Sequence, residues 1–387
     1  MRYEKVFLSE VCDLVPGYAF RGKDFGDFKD KVIKITHITP PTVDMDNLVG
    51  IDIDKYDISK LKKFIAQKGD YVLAMTGATI GKIGRVERGC AYVNQRVLLF
   101  KNKKCVDKNY LYYVLKQKEF EQYVFNHIDS NSAQPNISAS TIGNFSFDLP
   151  DLVFQKKIGD GLRLLDEKIA TNREINDNLQ QQAAALFSSL YDRSNTEVRF
   201  TDLIQILGGG TPKTGENTYW NGNIAFFTPK DVGTPYTLIT EKTISKEGLS
   251  HCNSRLYPVN TVFVTARGTV GKVGMSGVPM AMNQSCYALV GKETHQLLVY
   301  FYTLKAVDRL KHKASGAVFD AITTRDFESE QIMKLSDDDA TAFLRVAEPM
   351  FQEVLNNNIE NLRLSTLRDS LLPKLMSGEI DVSDIQL

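Results

Sequence analysis

This 387-residue chain has no run approaching the roughly 20 apolar residues that a membrane-spanning helix needs. Its start, MRYEKVFLSE, lacks the apolar core of an export signal, which makes the cytoplasm the expected compartment. Cysteine is scarce and scattered. Cys12, Cys90, Cys105, Cys252 and Cys286 are odd in number and never spaced as CxxC, so reduced thiols are expected and a metal site is not. The five histidines, His37, His127, His251, His295 and His312, are isolated, with no ligand-like spacing. Catalytic signatures are missing too: there is no HExxH, no NPP-aromatic tetrad of an amino-methyltransferase, and no glycine-rich cofactor turn beyond GGGTP at 208–212. The alternating acids of DMDNLVGIDIDKYD (44–57) suit a solvated strand face better than a metal loop. No catalytic residue and no metal ligand is therefore assigned.

What the chain does have is one pattern written twice. Residues 76–84 read TGATIGKIG and residues 266–274 read ARGTVGKVG, each after an apolar stretch, YVLAM and TVFVT. Laid together, Thr79, Gly81, Lys82 and Gly84 fall on Thr269, Gly271, Lys272 and Gly274, and Gly77 falls on Arg267. LSEVCDLVPG (8–17) matches TDLIQILGGG (201–210), Asn94-Gln95 matches Asn283-Gln284, and NISASTIGNF (136–145) lies over AITTRDFESE (321–330). The offset drifts from 193 to 185, as it does when insertions fall in loops. A period near 190 is too long for a solenoid repeat and means two similar domains.

The net charge is zero but segregated: residues 1–150 hold 22 Lys/Arg against 18 Asp/Glu and 200–335 hold 14 against 11, whereas 336–387 hold 4 against 10. The positive excess on the two copies fits an anionic partner. Within each copy, short β-branched and aromatic runs alternate with Gly, Asn and Asp turns: KVIKITHI, DYVLAMTG and QRVLLF, then IAFFTPKD, TVFVTARG and CYALV. These predict the strands of a compact sheet-rich domain, with a helix at about 108–125 and 294–312.

Each copy then runs into a helical segment of another kind. Leu162, Leu165, Ile169, Asn172, Asn176, Leu179, Ala183, Leu186 and Leu190 follow a 3-4 spacing. Adding 185 to each gives Ala347, Met350, Val354, Asn357, Asn361, Leu364, Arg368, Leu371 and Leu375. Such a seam must pack on another helix, and asparagines at matching seam positions select register. Antiparallel pairing sets Asn172 against Asn361 and Asn176 against Asn357. A helix of about 28 residues is about 42 Å long, comparable with the 34–36 Å of one duplex turn, roughly. Pro349 is read as first-turn, and Pro373 with Gly378 as the end of the second helix. The reading is α+β, with target domains at 1–150 and 196–336 and helical regions at 151–195 and 337–387, the two helices forming a long antiparallel coiled coil with pseudo-two-fold symmetry.

The duplicated domain with its TxGKxG turn, the terminal NIENLRLSTLRDSLLPKLMSGEI (358–380) and the central EINDNLQQQAAALFSSLY (174–191) resemble the specificity subunits of type I restriction–modification systems. The resemblance covers nearly the whole chain. It implies that each domain reads half of a split double-stranded DNA target, that the coiled coil fixes the gap, and that the helices dock two methyltransferase subunits and, through them, restriction subunits. It also implies that S-adenosylmethionine, ATP and Mg²⁺ belong to those partners, with no cofactor in this chain. Arg368 departs from the internal match, since its counterpart is Ala183.

The turn GATIGKI lacks the spacing and the Ser/Thr of a phosphate-binding P-loop. Between strands it would instead bring backbone N–H groups and Lys82 or Lys272, with Thr79 or Thr269, to a DNA phosphate. Base reading needs Arg, Asn, Gln and similar donors in loops. The first copy offers Arg21, Lys23, His37, Thr76, Asn94, Gln95, Arg96, Ser132, Gln134 and Asn136. The second offers Thr211, Lys213, Trp220, Lys230, Arg267, Asn283, Gln284, Ser315 and Arg325. Because Asn94-Gln95 and Asn283-Gln284 recur, they fit architecture as readily as reading. Two rivals stand beside this account, a self-sufficient metal-dependent nuclease and a protein scaffold that does not touch DNA.

Overall fold

The computed structural model describes residues 3–129, 135–233, 235–313 and 321–383; the candidates Ser132, Gln134 and Ser315 lie outside the described residues. The chain divides into two compact units, Met1–Glu167 with Leu364–Leu387, and Lys168–Arg363. The boundaries between the units fall at 167/168 and 363/364, inside the two helical regions.

In the first unit, Cys12–Pro16 (β1), Phe25–Ile33 (β2), Tyr71–Ala74 (β3), Ile83–Arg85 (β4), Cys90–Val93 (β5) and Val97–Asn102 (β6) supply the principal strands. The main sheet runs β1–β6–β3–β4 and then two short edge strands, while β2 and β5 pair at the centre of a second sheet. In the second unit the strands are Ile204–Gly208 (β7), Trp220–Phe227 (β8), Val262–Thr265 (β9), Val273–Ser276 (β10), Met280–Met282 (β11) and Cys286–Gly291 (β12). They repeat the order, β7–β12–β9–β10 in the main sheet and β8 beside β11 in the other.

The apolar runs QRVLLF and TVFVT are continuous because both faces of each main sheet are covered. Leu98 and Phe100 of β6 point to the helical side with Leu73, whereas Val97 and Leu99 join Val72, Ala74 and Ile33 in a separate cluster on the other side. In the second unit Val262 and Val264 face the helices, and Phe263 and Ala288 face Phe227 and Met282.

Five longer helices complete the fold: Lys108–Leu115 (α1), Lys118–Asn126 (α2), Leu152–Asp192 (α3), Gln296–Lys313 (α4) and Asp337–Met376 (α5). The single helix expected at 108–125 is two, because Gln117 takes an extended ψ of 149°. Its counterpart α4 runs unbroken. The long helices hold 41 and 40 residues, well beyond the length read from the seam. Gly159 of α3 is a close-approach glycine, whose added Cβ would lie 2.5 Å from the Tyr110 nitrogen. Pro349 is interior to α5 and not in its first turn. That helix starts instead at Ser336, whose Oγ accepts the Asp339 N–H at 3.1 Å, with Asp337, Asp338 and Asp339 favourably placed at the positive end of the helix dipole. Gly378, with φ +76°, follows the end of α5.

The acids of 44–57 do not form one strand face. Asp44 Oδ1 accepts the N–H groups of Asp46 (3.1 Å) and Asn47 (3.2 Å), and Asp57 caps a short helix through the Ser59 N–H at 3.0 Å. Local capping competes successfully with strand pairing there.

Within the second unit α3 and α5 lie antiparallel. Asn172 Nδ2 donates to Asn361 Oδ1 at 2.9 Å and to Glu360 Oε2 at 2.6 Å. Asn357 Nδ2 donates to Asn176 Oδ1 at 2.9 Å, and Asn176 Nδ2 to Asn358 Oδ1 at 3.0 Å. These include the two Asn–Asn pairs that the seam register requires. Leu162, Ile169, Leu190, Val354 and Leu375 are buried, and Leu165, Leu179, Leu186, Met350, Leu364 and Leu371 are half-buried. In the first unit Arg368 pairs with Asp166 on α3, which also accepts the Tyr113 hydroxyl at 2.6 Å. The heptad counterparts of Asp166 and Arg368 are Phe351 and Ala183, both buried, so an ion pair at one place is matched by apolar packing at the other.

Candidate nucleic-acid interface

The glycine-lysine turns join β3 to β4 and β9 to β10. Each is fixed by the same backbone bonds: Gly81 N–H to Ala74 O (3.0 Å) with Ala74 N–H to Lys82 O (3.0 Å), and Gly271 N–H to Thr265 O (2.9 Å) with Thr265 N–H to Lys272 O (3.0 Å). Gly77, Gly81, Gly268 and Gly271 have φ between +72° and +81°, a region that favours glycine. Lys82 and Lys272 are exposed at the same place in both turns.

These bonds correct the sequence alignment. Val97 pairs with Ala74, and Cys286 pairs with Thr265, so Ala74 and Thr265 are equivalent. One residue on, Met75 N–H donates to Arg96 O at 3.0 Å, and Ala266 N–H donates to Ser285 O at 2.8 Å. Thr76 then bridges Asn136, and Arg267 bridges Ala321. Arg267 therefore corresponds to Thr76, not to Gly77, whose partner in conformation is Gly268. The first turn carries one residue more between its glycines. A one-residue gap between GATIG and GTVG was the signal in the sequence. It also reveals a residue the reading missed: Ser285, the counterpart of Arg96.

Each unit thus gathers three chain segments at one juncture. In the first, Thr76, Arg96 and Asn136 meet, with Gln95 adjacent; in the second, Arg267, Ser285 and Ala321 meet, with Gln284 adjacent. Arg96, Asn136, Arg267 and both glutamines are exposed. Thr76 is half-buried, its hydroxyl enclosed. Thr79 Oγ1 makes a long 3.4 Å contact to Thr76 O, and Thr269 Oγ1 donates to Pro229 O at 3.2 Å, linking its turn to the loop of Lys230. Lys230 itself faces Glu241 at 3.6 Å. Arg325 is exposed on the helical turn Thr324–Ser329.

Several candidates take part in the architecture of their units. Asn94 N–H donates to Ile33 O and Asn283 N–H to Phe227 O, both at 3.0 Å, joining the two sheets of each unit. A Cβ on Gly17 would lie 2.2 Å from Asn94 O, and one on Gly209 would lie 2.2 Å from Asn283 O. The Asn-Gln repeat thus lies at a close backbone crossing in both units, with exposed Gln95 and Gln284 beside it. Thr211 Oγ1 hydrogen-bonds to Gln284 Oε1. His37 does not reach out: it is buried, its Nδ1 accepts the Lys34 N–H at 3.0 Å, and burial with the Lys34 charge lowers its pKa. Trp220 packs edge-on against Phe226 and donates Nε1–H to Lys213 O at 3.1 Å, so it fastens the Thr211–Lys213 loop. Arg21 and Lys23 are exposed on a loop held by the Tyr56 hydroxyl, which accepts the Arg21 N–H (3.0 Å) and donates to Asp24 (2.7 Å).

The sequence model of the type I restriction modification DNA specificity domain matches residues 2–181 and 193–334. The chain belongs to this family. One relative within the specificity family, the type I restriction enzyme HindI specificity subunit of Haemophilus influenzae, is 24% identical over 362 residues, 72% of this chain and 79% of that protein. The MjaIX specificity subunit of Methanocaldococcus jannaschii is 29% identical over 127 residues, 31% of this chain and 29% of that one. The crystal structure of the S subunit from M. genitalium shares the fold, with TM-score 0.65 and 14% identity over 97% of this chain and 96% of that one. The α+β class and the two sheet-rich domains read from the sequence agree with that fold. Among the described residues no helix is long and apolar enough to cross a membrane, and no group of three or more His, Cys, Asp or Glu is gathered to hold a metal.

Proposed function

We propose that the two units each read one half of a bipartite double-stranded DNA target, with the juncture beside each glycine-lysine turn facing the duplex. The observation that carries this is the recurrence of an exposed lysine on the same glycine turn in two units of one topology. A phosphate contact asks for a cation at a fixed place on a backbone that approaches closely, and both turns supply it. The antiparallel helices act as the spacer between half-sites, and their outer faces dock two methyltransferase subunits, through which restriction subunits join. On this reading the chain performs no chemistry, S-adenosylmethionine, ATP and Mg²⁺ are bound by the partners, and the complex works in the cytoplasm.

The test is genome-wide mapping of methylated bases in the host with and without the gene. Loss of a single split motif is expected. An unchanged set of methylated motifs contradicts the proposal.

A further inference from the structure

The two junctures differ in one respect that their shared backbone makes legible. Each holds one arginine, but on opposite strands: Arg96 precedes β6 in the first unit, where the facing residue is Thr76, while Arg267 follows β9 in the second, where the facing residue is Ser285. The lysines of the turns do the reverse, for Lys82 and Lys272 hold the same place in both.

These two behaviours separate two kinds of contact. A phosphate looks the same under any sequence, so a phosphate-binding cation keeps its position when a domain is duplicated. A base reader must move or change whenever the two copies read different half-sites. Arg267 has the chemistry for the second role. Its fork offers paired donors that match O6 and N7 of guanine, and Lys cannot reproduce that geometry. It is exposed, and its backbone is pinned on both sides, by the bond from its N–H to Ser285 O at 3.3 Å and by its bridge to Ala321.

Resting on the reading of the units as half-site readers, we propose that Arg267 is a specificity-determining residue that recognises a guanine in the half-site of the second unit, and that Arg96 is its strand-exchanged counterpart for the first. Asn136 and Ala321 hold equivalent bridge positions in the two units, one offering an amide and the other a methyl group.

Methylation mapping of the full complex carrying Arg267→Ala, Arg267→Lys or Arg96→Ala tests this. Arg267→Ala should make one G·C pair degenerate in one half of the motif, with preference for guanine falling about tenfold or more, and leave the other half intact. Arg267→Lys should lose the same preference with less loss of overall affinity. Arg96→Ala should relax the opposite half. If a variant methylates too weakly to map, competition binding between duplexes differing at single pairs gives the same comparison. A motif unchanged at every position, with uniformly weaker binding, overturns the inference while sparing the half-site reading. Absence of any split motif with the unaltered chain overturns the half-site reading itself.

Discussion

Asn357 donates its side-chain amide to Asn176 Oδ1 at 2.9 Å, with both residues buried between two antiparallel helices. Replacing Asn176 by Leu strands the Asn357 amide and the Asn358 carbonyl group, at a cost of about 1–3 kcal/mol. The double variant Asn176→Leu/Asn357→Leu should recover most of that loss, since an apolar pair suits the seam, while weakening the choice of register. Denaturation of the four chains of this double-mutant cycle measures the coupling. Strictly additive losses would mean that the pair does not act as one.

The turn lysines are predicted to act on affinity without regard to sequence. Lys82→Ala and Lys272→Ala should each weaken binding of the assembled complex to all duplexes and reduce the salt slope by about 0.9. A salt titration of binding reads this directly. An unchanged slope would return these lysines to the role of solvated turn residues.

Asp70 gives the first unit an acid-sensitive point. It is buried, and although burial alone disfavours its charge, Lys101, Lys108 (2.9 Å) and the Gln67 N–H (2.9 Å) outweigh that and lower its pKa. A carboxylate with a lowered folded pKa stabilises at pH values above its unfolded pKa of about 3.9 and loses that contribution as pH falls through the folded value. Asp70→Asn should therefore cost about 2 kcal/mol at neutral pH and flatten the stability profile below about pH 4. Melting temperature against pH for both chains checks this, and parallel profiles would count against it.

Much of this fold is written plainly in the sequence because period and register are local properties. The seam announced itself through Asn172, Asn176, Asn357 and Asn361, polar residues at matching positions of two apolar stripes. The strands were legible from runs such as VLLF, which are apolar throughout because both sheet faces are buried. What escaped depended on contacts distant in the chain. That Gly159 lies against the Tyr110 backbone, and that the Gly17 backbone crosses that of Asn94, depends on residues far apart in the chain. The equivalence of Arg267 with Thr76 was hinted at by the one-residue gap between GATIG and GTVG, and the bridges to Ala321 and Asn136 fix it.

The central claim is that each unit reads its own half of a split target. Exchanging residues 200–335 for the same segment of another family member, and mapping methylation by the resulting complex, tests it most directly. The account predicts a motif in which one half is replaced while the other half and the gap persist. Replacement of both halves, or of neither, would contradict it.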